Sequence, residues 1–205
     1  MSRRALDAGY EASGGYLTQV WREYRDVSVD DHVAAILSAA DRDLPRRVPS
    51  DVRSSLVDAY ARPALLVPPD VDPGAREAVE TLAGRGYALA VVSNTMRTPG
   101  AILRKLLARF GLLPFLTHAT FSDEVGVRKP SPRIFALTLH ALGGEPSTAV
   151  HVGDDVTLDV AGARAAGMRA IHVGGAPARS SSGPAADATI AAIRDLPAAV
   201  ARLDD

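Results

Sequence analysis

The stretch that most limits what this chain can become is 148–168. A short apolar run, 148–152, reads as a buried parallel strand; it ends in Gly153-Asp154-Asp155, and an Ala-rich helical pattern then runs to Gly167. Asp154 and Asp155 therefore fall at the carboxyl end of a strand, with Asp159 one helical turn further on. In open α/β sheets that is where ligands bind, in the crevice outside the strand ends. Carboxylates packed this closely repel unless a cation or a basic side chain compensates them. Hard oxygen donors of this kind suit Mg²⁺, which is usually held by one or two carboxylates together with water and substrate phosphate. The same residues also suit a helix amino end, where Asp155 or Asp159 would cap the first turn and complement its partial positive charge. Both readings stand on this stretch alone.

The remainder of the chain supplies the layers around it. Apolar strand patterns at 87–93, 117–121, 148–152, 169–173 and 187–190 alternate with helical patterns at 72–84, 98–110, 132–142, after Asp159 and at 196–203. Strands and helices alternating at this spacing predict a parallel, doubly wound (Rossmann-like) α/β sheet. A Gly/Ser/Pro segment, 174–186, is expected to be a mobile loop.

Before residue 65 the pattern is helical only. Leu17, Val20, Trp21 and Tyr24 recur at one helical face, and Val33, Ile36, Leu37 and Ala40 repeat the spacing. Ser28 followed by Asp31 is a capping-box signature for the second helix. A third helix, 50–60, places Val52, Leu56 and Tyr60 on one face, and the aromatics Tyr10, Tyr16, Trp21 and Tyr24 are expected in a core rather than against a substrate. The proline-rich connection 63–73 then marks a boundary between a helical unit, 1–65, and an α/β unit, 66–205.

Several function classes are excluded early. Lys plus Arg is 23 and Asp plus Glu is 24, so there is no charge imbalance to draw nucleic acid or an anionic membrane. The sequence has no cysteine, hence no thiolate nucleophile, thiolate metal site or disulfide. No apolar run is long enough to span a bilayer, and no signal-peptide pattern opens the chain, which makes a cytoplasmic protein the expectation. The histidines show no metal-ligand spacing; His151 and His172 are expected as satisfied strand residues.

Polar groups stand at three of the predicted sheet ends. Ser93-Asn94-Thr95 offers hydroxyl, amide and backbone N–H donors; Lys129, held extended by Pro130, offers a cation; Asp154, Asp155 and Asp159 offer carboxylates. Any one of these is an ordinary loop feature. Together they describe a site for a phosphorylated ligand and Mg²⁺. A phosphorylation-receiver domain uses similar groups, but with the acidic pair first and the lysine last, the reverse of the order here.

The segments 91–95, 122–130 and 151–163 resemble the second, third and fourth motifs of the haloacid dehalogenase-like (HAD) hydrolases in order and spacing, and the similarity runs from about residue 68 to 203. The helical segment before them is similar to the α-helical cap of that family. The resemblance implies that Ser93 and Lys129 take part in catalysis, that Ser93, Asn94 and Lys129 hold the phosphoryl group, that Asp154 and Asp159 bind Mg²⁺, and that Asp155 supports them from behind. It further implies a Mg²⁺-dependent phosphatase, rather than a metal-free dehalogenase, acting on a small phosphorylated metabolite through an aspartyl-phosphate.

One part of the family pattern is missing. Members begin with an apolar strand ending in two aspartates one residue apart, the first a nucleophile and the second a general acid/base. The early candidates here, Asp7 and Asp26, have no strand before them and no partner at that spacing. In the family that strand lies between those corresponding to 87–92 and 148–152, so the expected sheet lacks its first central strand. Two expectations follow. Either Met1 is an internal start and the whole protein is an ordinary hydrolase, the truncated chain itself being inactive or nearly so; or the chain is a non-catalytic phosphate-binding or protein-interaction module. Its state is expected to be monomer or homodimer.

Overall fold

The computed structural model describes residues 2–174 and 185–204. The helices are α1 Arg3–Arg22, α2 Val29–Ala40, α3 Leu44–Arg47, α4 Ser50–Ala61, α5 Pro63–Leu66, α6 Ala75–Gly84, α7 Gly100–Arg109, α8 Ser122–Val125, α9 Pro132–Leu142, α10 Gly162–Ala165 and α11 Leu196–Asp204. The strands are β1 Ala90–Ser93, β2 His118–Phe121, β3 Val150–Gly153, β4 Arg169–Val173 and β5 Ala188–Ile190. Most of the segment expected to be a mobile loop, 175–184, lies outside the described residues.

The chain divides into two compact units. One gathers Met1–Pro69 with Asn94–Leu106 and Phe121–Arg128; the other gathers Asp70–Ser93, Leu107–Thr120 and Lys129–Asp205.

In the first unit, α1 and α2 form an antiparallel-type hairpin held by a narrow stripe. Gly9, Ser13, Leu17 and Val20 are the buried positions of α1, and a Cβ on Gly9 would come within 2.7 Å of the Ile36 carbonyl, so only glycine permits this approach. Ser28 caps α2 through the Asp31 amide while the Asp31 carboxylate accepts from the Ser28 amide, the reciprocal pair expected for the capping box. One sequence expectation is corrected. Tyr10, Tyr16 and Tyr24 are about half exposed rather than core: α1 buries the stripe Gly9, Ser13, Leu17 and Val20, Tyr10 and Tyr16 lie off it, and Tyr24 stands in the turn beyond the helix. Val52 and Leu56 of α4 are likewise exposed, while Tyr60 is partly covered and Ala61 is buried. Periodicity showed a stripe on α4 but not which way it faces.

The second unit is an α/β sandwich. β3, β4 and β5 pair in parallel in that order, with Val152 opposite Ile171 and Ile171 opposite Ala188. β4 is buried on both faces, with Ala170, Ile171 and His172 buried in succession, as in a sheet covered on both sides. One face is covered by Leu82 of α6 and Leu196, Ala199 and Val200 of α11, packed against Ile171 and Ile190. β1 pairs with β2 in a separate sheet, and among the described residues no ladder joins β1 to β3. The helix expected from Asp72 starts at Ala75; Asp72 instead accepts from the Gly74 amide at 2.8 Å in the turn before it. Among the described residues no helix is long and apolar enough to cross a membrane.

Candidate active site

β3 delivers the chain to the site. Its last residue, Gly153, has no side chain for a steric reason: a Cβ there would lie 2.2 Å from Asp159 Cγ. The close approach is made by a π-helical turn, Val156–Ala161, in which the Val160 amide reaches back to the Asp155 carbonyl at 3.2 Å. Asp155 opens that turn. Its Oδ1 accepts from the Thr157 and Leu158 amides at 2.8 and 2.7 Å, so the capping role weighed for it is the one its side chain performs.

Asp159 is buried, 4% exposed, and its oxygens are differently used. Oδ1 accepts from Lys129 Nζ at 2.6 Å and from His151 Nε2 at 2.7 Å; Oδ2 accepts from the Asp155 amide at 3.1 Å. Burial alone would raise the Asp159 pKa, but the hydrogen bonds and charge of His151 and Lys129 outweigh it and hold the carboxyl well below the usual carboxylate range. The His151 ring stands edge-on to Phe135 with centroids 4.9 Å apart, which fixes its plane. Asp154 is exposed at the mouth, and its backbone carbonyl meets His172 Nε2 at 3.1 Å, so that nitrogen carries the donated hydrogen.

The structure thus brings Lys129 and Asp159 together and adds His151, which sequence reasoning treated as a satisfied strand residue. A signal for it was available. His151 and Gly153 are two apart on one strand and share a face, and Gly153 is where Asp159 packs. Ser93 closes β1, partly buried, in the same compact unit as Lys129 and Asp159. Asn94, the next residue, belongs to the other unit. Among the described residues no group of three or more His, Asp or Glu side chains stands ready to hold a metal ion. The donor set suits Mg²⁺: the exposed Asp154 carboxylate and Asp159 Oδ2, which accepts from the Asp155 amide, are hard oxygens of the kind this ion draws from protein, one or two at a time.

A pair with the one-residue spacing of the missing motif does occur at Asp70 and Asp72. It lies on an exposed, irregular turn rather than at a strand end, and Asp72 is engaged with the Gly74 amide. Asp26 is buried, and Asp7 lies on the exposed side of α1 paired with Arg3.

A parallel sheet whose strand end presents a buried lysine–carboxylate pair beside a second carboxylate places this chain among the α/β proteins that bind ligands at their strand ends. Residues 5–167 match the haloacid dehalogenase-like hydrolases, and the chain belongs to that family. It is 42% identical over 89 residues to a phosphoserine phosphatase of Thermus thermophilus, covering 43% of this chain and 34% of that protein. It is 36% identical over 117 residues to a ribulose-1,5-bisphosphate 5-phosphatase of Halopiger xanaduensis, covering 57% of this chain and 47% of that protein. The chain therefore spans less than half the length of these relatives. The crystal structure of a HAD phosphatase from Thermococcus onnurineus superposes with a TM-score of 0.60 at 28% identity, covering 90% of this chain and 88% of that one.

Proposed function

We propose that this chain carries the phosphoryl-binding and Mg²⁺-binding groups of a phosphatase-type HAD hydrolase of a small phosphorylated metabolite. The observation that carries the reading is the Lys129–Asp159–His151 cluster beneath the carboxyl end of β3, with Asp154 open beside it. In this reading Ser93 and Asn94 donate to the phosphoryl oxygens and Lys129 neutralises their charge. Asp154 and Asp159 hold Mg²⁺, and Asp155 secures the turn that carries Asp159. Bound there, the ion supplies Lewis-acid stabilisation of charge on the transferring phosphoryl group. His151 and Lys129 keep Asp159 Oδ1 occupied and oriented, so that Oδ2 is the oxygen this reading offers to the ion. The relatives named above act on phosphoserine and ribulose bisphosphate, two small phosphorylated metabolites, which supports the substrate class.

Turnover in this family starts from an aspartate nucleophile at a strand end. Among the described residues none of the aspartates ahead of β1 ends a strand, since Asp7, Asp26, Asp70 and Asp72 stand on a helix or in irregular segments, and Asp154, which follows β3, is the Mg²⁺ ligand of this reading. The chain is accordingly expected to bind phosphate with Mg²⁺ and release none from substrates such as phosphoserine. A phosphate-release assay on purified residues 1–205 tests this. Release that disappears in Asp154→Ala would overturn the expected inactivity, while absence of both release and binding would overturn the phosphatase reading itself.

A further inference from the structure

Asp26, which is not needed for the site as drawn above, is the most heavily bonded carboxylate of the first compact unit. Its side chain is 1% exposed. Oδ1 accepts from Trp21 Nε1 at 3.1 Å and from the Val27 amide at 3.0 Å; Oδ2 accepts from Ser122 Oγ at 2.5 Å and faces the Arg128 guanidinium at 3.4 Å. Arg128 Cζ lies over the Trp21 ring, 4.4 Å from its centre. Ser122 Oγ passes the network onward by accepting from the Thr95 amide at 2.7 Å, and Thr95 Oγ1 accepts from the Asp123 amide at 3.1 Å.

The backbone repeats the connection. The Asp26 amide donates to the Gly126 carbonyl, the Arg128 amide donates to the Tyr24 carbonyl, and Arg25 and Val127 form an antiparallel bridge. Tyr24 adopts φ 54, a left-handed conformation unusual for a bulky side chain and sustained only where its surroundings over-determine it. A charge this deeply buried, with an arginine and three hydrogen-bond donors converging on it, is a costly device for stability alone.

Its members identify what it holds. Thr95 is the residue after Asn94, and Arg128 is the residue before Lys129. Resting on the functional reading above, we propose that Asp26 is a positioning residue: it fixes the two chain segments that carry the phosphate-binding groups Asn94 and Lys129, and touches neither ligand nor metal. Removing its charge frees Ser122 Oγ to rotate toward Thr95 Oγ1, 3.1 Å away, and leaves Arg128 without its counter-ion.

The test uses the full chain and two readouts. Hydrogen exchange follows the amides of Thr95, Asp123 and Arg128, and calorimetric titration follows inorganic phosphate in the presence of Mg²⁺. In Asp26→Asn these amides lose protection by about tenfold or more relative to α1 and α2, and phosphate affinity falls by about tenfold or more. Val33→Ala, a buried α2 position outside the network, lowers stability but leaves phosphate affinity within about twofold. Should Asp26→Asn fail to fold, Ser122→Ala breaks the same link with the carboxylate intact and carries the same expectation. Unchanged protection, unchanged affinity, or an equal loss of affinity in Val33→Ala overturns the positioning role. Absence of phosphate binding by the unsubstituted chain overturns the functional reading and this role with it, whereas binding that ignores Asp26 overturns the role alone.

Discussion

Lys129 Nζ stands 2.6 Å from Asp159 Oδ1, and the two side chains are 12% and 6% exposed. A pair this buried is held more by the cost of breaking it than by its net attraction, because a lone buried carboxylate has no water to turn to.

Lys129→Met therefore destabilises the chain. Removing one partner of a buried pair costs roughly 3–5 kcal/mol, and because His151 remains on Asp159 the expected loss is near the lower end, about 3 kcal/mol. Urea unfolding measures it, and Lys129→Met combined with Asp159→Asn should lose less than the single lysine variant.

Gly153→Ala tests the packing of the site. The new methyl would occupy the space of Asp159 Cγ, 2.2 Å away, so the turn must shift, at a cost of about 1–3 kcal/mol. A crystal structure of the variant should show Asp159 displaced from Lys129.

Asp155→Ala should cost about 1 kcal/mol through the lost cap, and Asp155→Asn should restore most of it because an amide oxygen can accept the same two amides. Thermal unfolding of the two variants provides the comparison.

His32 gives the chain an acid-sensitive point. It is buried beside the Trp21 and Tyr60 rings, and neither ring nitrogen has a hydrogen-bond partner among the described residues. Burial pushes its pKa below the ordinary 6.5; Asp26, Asp31 and Asp123 pull upward, and Arg128 adds to the lowering. The unfolded chain thus takes up this proton first as pH falls through 6.5, so the fold loses stability below that pH and gains nothing above it. His32→Leu should flatten the stability profile between about pH 7 and 5, as read by urea midpoints; an unchanged slope would mean that other groups set it.

Much of this was legible in the chain itself. The capping box at Ser28 and Asp31, the helix from Pro132 to the left-handed Gly143, and the short strands ending at Ser93 and Gly153 all follow from local rules, since each is decided by residues within one or two turns. The Lys129–Asp159 pair was legible only as two motifs of one resemblance, not as a contact. What sequence could not reveal is set over long separations: Ser122 and Arg128 meet Asp26 across 96 and 102 positions. Nor could it orient α4, whose Val52 and Leu56 face solvent, because periodicity identifies a stripe and not its partner.

The most direct test of the account is calorimetric titration of residues 1–205 with inorganic phosphate, with and without Mg²⁺, beside Lys129→Ala and Asp154→Ala. The account predicts binding strengthened by Mg²⁺, loss of phosphate affinity in Lys129→Ala, and loss of the Mg²⁺ effect in Asp154→Ala. Phosphate binding that is absent, or indifferent to both substitutions, would contradict it.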